Sequence, residues 1–211
     1  MTTIGSTSET PSSGLDASLG GAGHGEHGEH EEHGDFRLYG LVLFLVADGM
    51  TFAGLFAAYL TFRAVNPLPP GGIYELELLL PTINTVLLVL SSFTFHRAGR
   101  QLRADDSAGC RLWLAVTIAL GVAFLASQMR EYFTLPFGLT SNLFASTFYV
   151  LTGFHGLHVT LGVMLMLIVL WQARPGGSIT SHSHFGLEAA ELYWHFVDGI
   201  WVVLFGIIYL L

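Results

Sequence analysis

His155 and His158 stand three residues apart in the apolar stretch TGFHGLHVTLG (152–162). Near the C-terminus, YWHFVDGIW (193–201) repeats that spacing with His195 and Asp198, and Asp48 lies alone in FLVADGMTFAGLFAAYL (44–60). Residues three apart on a helix point to about the same side. Each pair can therefore be read as part of a metal site, as half of a bis-imidazole haem site, as a step in a proton relay, or as polar contacts between packed helices. A bundle di-metal site wants a Glu-x-x-His pattern repeated on two helices, with further Glu on the others. Here Glu191 and His195 are four apart, and no second copy exists. Haem ligation would require His155 or His158 to face His195 at matched depth. The ligand sets are incomplete, so no metal is expected in the chain. Polar contacts between helices are the favoured role, with proton transfer next. Asp48 is either neutral or turned inward towards a donor, because a bare carboxylate in mid-membrane costs about 2.5–3.5 kcal/mol on insertion scales.

These residues need elements that hold them at depth. The chain has 211 residues, of which 52% are hydrophobic and only 11% charged, a composition unusual for a soluble domain. Apolar segments at about 38–62, 79–96, 112–129, 143–171 and 192–211 are long enough, or nearly so, to cross about 30 Å of hydrocarbon. The third is the shortest and is expected to borrow Gln128 through Tyr132 at its end. In lipid the backbone must satisfy its own polar groups, so all five are expected as helices of an all-α membrane bundle. Ala53 with Ala57, and Gly54 with Ala58, form small-xxx-small pairs suited to close helix contact. Gly153 and Gly156 leave similar room beside the histidines. The links NPLPPGG (66–72), RAGRQLRADDSAGCR (97–111), LPFGLTSN (135–142) and ARPGGSITSHSHFG (173–186) read as loops, with Ser141 or Asn142 suited to start the fourth helix and Glu188 and Glu191 opening the fifth.

The first 35 residues form a separate region. They are Ser-, Gly-, Glu- and His-rich, hold almost nothing to bury, and are expected to be disordered. With no basic residue before Arg37 and no short apolar core, they do not read as a secretory signal. His24, His27, His30 and His33 recur every third residue and offer loose metal affinity, but the plainer reading is a solvated acidic repeat. All eight basic residues are Arg. Placing the N-terminus, the second link and the fourth link on one side puts Arg37, Arg97, Arg100, Arg103, Arg111 and Arg174 there, against Arg63 and Arg130 opposite. That excess predicts a cytoplasmic N-terminus and an external C-terminus. The single Cys, Cys110, excludes an internal disulfide, and no base stands beside it to make it a nucleophile. No basic patch suggests nucleic acid.

Together, FYVLTGFHGLHVTLG (148–162) and FGLEAAELYWHFVDGIWVVLF (185–205) strongly resemble the two signature segments of subunit III of haem-copper oxidases, cytochrome c oxidase especially. PTINTVLLVLSS (81–92) is similar to the family's Pro-x-x-Asn-Thr helix, and Gln128, Glu131, Tyr132 and Pro136 match its Gln-x-x-Glu-Tyr…Pro-Phe segment. YGLVLFLVADGMTFAGLFAAY (39–59) resembles the helix that usually carries Ser-Glu, with Asp48 in place of Glu and Ala47 in place of Ser. The likeness spans about 36–211 and resembles a short bacterial form without the first two of seven spans.

The resemblance implies a subunit that carries no haem and no copper, since the family's redox ligands lie in subunits I and II. Such a subunit packs on subunit I beside a proton-uptake entrance, binds phospholipid in a cleft between its first two helices and the rest, and sustains proton uptake and turnover. The implied complex takes electrons from cytochrome c, reduces oxygen to water and moves protons outward in a bacterial plasma membrane, or in a thylakoid membrane in a cyanobacterium. A quinol oxidase is the alternative. From another class, a self-contained metalloenzyme using His155, His158, His195 and Asp198, or a small proton-coupled transporter built on Asp48, stays open. Asp48, His155, His158, His195, Asp198 and Glu131 are the candidates for intramembrane polar work. Arg37, Arg174 and His184, near membrane edges, are the candidates for lipid phosphate.

Overall fold

A computed structural model describes residues 29–65, 78–135, 138–140, 143–174, 176–177, 179 and 185–210, with side chains from Phe36 onward. Five α-helices follow one another: α1 (Glu29–Val65), α2 (Leu79–Arg103), α3 (Ser107–Thr134), α4 (Leu143–Gln172) and α5 (Phe185–Phe205). A wider π turn, Gly206–Leu210, ends the last helix. All five are long and apolar enough to cross a membrane, and the described residues contain no strand. The chain is an all-α, multi-pass membrane bundle.

The helices overrun the apolar segments that announce them. Hydrophobicity marks only the part of a helix that must lie in hydrocarbon, whereas intrahelical hydrogen bonding continues into the polar margins. The link expected at 97–111 is mostly helix: α2 runs on to Arg103 and α3 starts at Ser107. Their junction is Ala104–Asp106. Asp105 takes a positive φ of 63°, a conformation that Asp tolerates better than most side chains. Asp106 caps α3 by accepting from the Gly109 amide at 2.9 Å. The third span includes Gln128 through Tyr132, as its short apolar run suggested. α1 begins at Glu29, ahead of the expected position near 38. Residues 1–28, His24 and His27 among them, and Ser141, Asn142 and His184 lie outside the described residues.

α2 and α3 form a tight antiparallel hairpin. Thr94 and Thr117 share a hydroxyl hydrogen bond of 2.8 Å across it, and Arg97 stacks over Trp113 at 5.2 Å. α4 and α5 close the bundle around Trp194, which is wholly buried. A Cβ at Gly162 of α4 would meet that indole at 2.7 Å, and one at Gly121 of α3 would meet it at 2.9 Å. These two glycines admit the ring. No helix of this chain fills the room at Gly153 and Gly156: among the described residues a Cβ at Gly156 would meet nothing within 4 Å, and one at Gly153 only the Tyr132 hydroxyl at 3.9 Å. Cys110 is buried at the start of α3.

α1 is the most peripheral helix. It buries Leu45, Phe52 and Tyr59, which are spaced seven apart and make a narrow coiled-coil-like seam. Asp48 lies on that seam. The small stripe Ala53, Gly54, Ala57 and Ala58 faces outward, contrary to the expected close contact. A larger apolar seam about half a turn away captures the helix instead.

Candidate functional site

The polar residues of the spans fall into three groups, each at a contact between helices. At the first, α1 meets α4. His158 Nε2 lies 3.1 Å from Asp48 Oδ1, and its Nδ1 lies 2.7 Å from the Phe154 carbonyl. A carbonyl can only accept, so Nδ1 carries a hydrogen. One proton then sits between Nε2 and Oδ1, and the pair is net neutral whichever atom holds it. Neutrality is what makes an acid tolerable at this depth. Phe52 and Phe154 wall the imidazole at ring distances of 5.0 and 4.6 Å, and Tyr193 donates to the His158 carbonyl at 3.3 Å.

His155 does not join this contact. Three residues turn a helix by about 300°, so its ring diverges from that of His158 by about 60°. That angle sends it towards α3 and α5, where it lies buried between Phe124 (5.9 Å, edge to face) and Trp201 (5.1 Å). Neither ring nitrogen has a partner among the described residues. Of the two histidines, only His158 bonds to Asp48 among the described residues.

The second group runs along the seam of α2 and α5. Ser92 donates to Asp198 Oδ2 through a short hydrogen bond. His195 Nδ1 lies 3.0 Å from the same serine oxygen, so the imidazole N–H donates there. Glu191 Oε1 lies 3.0 Å from His96 Nδ1 and 3.7 Å from His195 Nε2. Arg103 and Glu188, 3.7 Å apart, end the file at the helix margins. Beneath it, Trp194 donates to Ser91 Oγ at 2.9 Å and Trp201 donates to Thr85 Oγ1 at 3.0 Å. The sequence pattern names His195 and Asp198, but not Ser92, which joins them, nor His96. The available signal was the Ser91–Ser92 pair in the middle of an apolar span.

The third group surrounds Glu131 near the other ends of the helices. Its two carboxylate oxygens accept from Tyr209 at 2.9 Å and from Gln128 at 3.1 Å. The π turn presents Tyr209 to this acid. Tyr132 donates to Thr152 at 2.7 Å alongside. Of the lipid-phosphate candidates, Arg37 is exposed about two turns into α1 and Arg174 is exposed just after α4. Arg111 donates to the Ala173 carbonyl at 3.2 Å instead.

No group of three or more His, Cys, Asp or Glu side chains converges as metal ligands among the described residues. His155 and His158 face away from the seam that holds His195 and Asp198, so the four-residue ligand set weighed from sequence is not assembled. The arrangement defines a multi-pass helical protein with polar groups placed at contacts between spans.

The family model described as cytochrome c oxidase subunit III matches residues 14–211. The cytochrome c oxidase subunit 3 of Synechocystis sp. is 58% identical over 178 residues, which are 84% of this chain and 76% of that one. That of Thermostichus vulcanus is 49% identical, over 84% of this chain and 88% of its own. The Bos taurus subunit is 40% identical, over 81% of this chain and 68% of its own. The chain belongs to the cytochrome c oxidase subunit III family.

Proposed function

We propose that this chain serves as the non-catalytic subunit III of a haem-copper terminal oxidase that takes electrons from cytochrome c, reduces oxygen to water and pumps protons. Haem and copper belong to its partners, subunits I and II. The chain's own work is to pack on subunit I, hold phospholipid and support proton uptake. What carries this reading is the family match over residues 14–211, together with the use of Asp48, His158, His195, Asp198 and Glu131 in helix-to-helix hydrogen bonds. The membrane is a bacterial plasma membrane or, given relatives from cyanobacteria, a thylakoid membrane. The arginine excess favours a cytoplasmic N-terminus. Fusing reporters to both ends tests this, and an external N-terminus overturns it.

Lipid retention is supported by an apolar groove of about 620 Å³ between α1, α4 and α5, lined by Leu41, Phe44, Leu161 and Leu165 with Gln172 at one end. Arg37 lies one turn before Leu41, and Arg174 two residues after Gln172. The groove therefore has guanidinium groups near the end where a phosphate would sit. Native mass spectrometry of the complex, with Arg37 and Arg174 changed to Gln, should show lipid loss. Unchanged lipid refutes this role.

Affinity purification through the C-terminus is the decisive experiment. A haem-bearing membrane subunit should co-purify with stoichiometric haem and copper. A chain purified alone that carries a stoichiometric metal, or that moves protons by itself in liposomes, would replace this reading.

A further inference from the structure

Five buried polar atoms inside the bundle have no partner among the described residues: both ring nitrogens of His155, both amide atoms of Asn84, and Gln128 Oε1. The three side chains belong to residues that are 1%, 0% and 4% exposed. They come from three helices, and each lies on the buried stripe of its own. Asn84 stands between Pro81 and Leu88 in α2, Gln128 between Phe124 and Glu131 in α3, and His155 between Leu151 and Val159 in α4.

Contacts of Trp201 put all three on one level. Its ring lies 5.1 Å from that of His155 and 4.8 Å from that of Phe124. Its Nε1 donates to Thr85, the neighbour of Asn84 in the chain. Gln128 is one turn beyond Phe124 in α3. The Gln128 amide nitrogen is spent on Glu131, which leaves its carbonyl oxygen over. One polar layer therefore crosses the inside of the bundle. A neutral imidazole offers one donor and one acceptor, the Asn84 amide offers both, and Gln128 adds an acceptor. An occupant that satisfies them must both donate and accept. An acyl chain does neither, and a cation could use only the acceptors. Water does both, and it is the usual partner of such groups in protein interiors.

We propose that this layer between α2, α3, α4 and α5 is a binding site for structural water, held between His155 and Asn84 with Gln128 as a further acceptor. The site lies wholly within this chain, so it does not depend on the partners of the functional reading above. It separates the roles of the two histidines of α4. His158 reaches its partner helix directly, through Asp48. His155 reaches α2 through water.

A cryo-electron microscopy map of the complex purified through this chain, sharp enough to show ordered water, tests this. The expected result is a density peak within hydrogen-bonding distance of a His155 nitrogen and of an Asn84 amide atom. A map in which these two side chains bond directly to each other, or in which no peak lies beside them, overturns the site. Substitutions give an independent reading. Asn84→Leu strands His155 and should speed amide exchange in α4 about tenfold, with the peak lost. Adding His155→Phe removes the second demand for water, so exchange in the double variant should return towards that of the unaltered chain. A double variant that loses as much as the two single variants added together overturns the shared site. The map of the unaltered chain decides even where a variant does not assemble.

Discussion

The Asp48–His158 contact and the Ser92–His195–Glu191–His96 file use the same chemistry, an imidazole against a carboxylate, in opposite states of completion. At the first, the side chains are 12% and 9% exposed, and aromatic rings close the pocket. At the second, His195 is 40% and His96 60% exposed. A closed pair is shut off from the outside and ties α1 to α4 through one Asp48 oxygen. An open file leaves two imidazoles partly exposed at the edge of the bundle.

Substitutions at four positions would break or sharpen this contrast. Trp194→Ala should have the largest effect, about 3–5 kcal/mol, because the indole floors the seam and fills the gaps at Gly121 and Gly162. Hydrogen exchange of the purified complex should then speed up in α3, α4 and α5 together, erasing the distinction between the two regions. Asp48→Leu comes next. It removes the partner of His158 Nε2 and should cost about 1–3 kcal/mol, seen as faster exchange confined to α1 and α4. Asp48→Asn keeps a donor at that position and should cost less. Equal exchange in the Leu and Asn variants would remove the case for a hydrogen-bonded closed pair.

Tyr209→Phe tests a second closed site. Loss of its bond to Glu131 should cost about 1 kcal/mol, read as a lower melting temperature of the complex with the chain retained. The smallest effect is expected for His96→Leu, within about 0.5 kcal/mol, so that exchange in α2 and α5 barely changes. Strongly accelerated exchange in α2 would place His96 among the groups that hold the fold.

Much of this was legible in the residues. Asp48 sits too deep in an apolar run to be left without a partner, and His158 was one of the few groups able to meet it. The divergence of His155 was not legible. Spacing places two residues on about the same side of a helix, but the remaining 60° decides which neighbour each ring reaches. Ser92 was missed because a serine in an apolar span is commonplace and signals nothing until an acid and an imidazole converge on it. The glycines that matter, Gly121 and Gly162, were missed because their role depends on one indole from another helix. The link at 97–111 was misjudged because polarity there reports the membrane margin and not the end of the helix.

By itself, the sequence determined the class of structure and the family signature. An apolar run of membrane length has one backbone solution in lipid, the helix, and the motifs at 148–162 and 185–205 are local strings. Tertiary structure alone decided which polar groups complete one another and which stay open. Those outcomes depend on a rotation of about 60° about a helix axis and on distances near 3 Å between residues about a hundred positions apart, as for Ser92 and His195. No local pattern encodes either quantity, because each is set by the packing of all five spans at once.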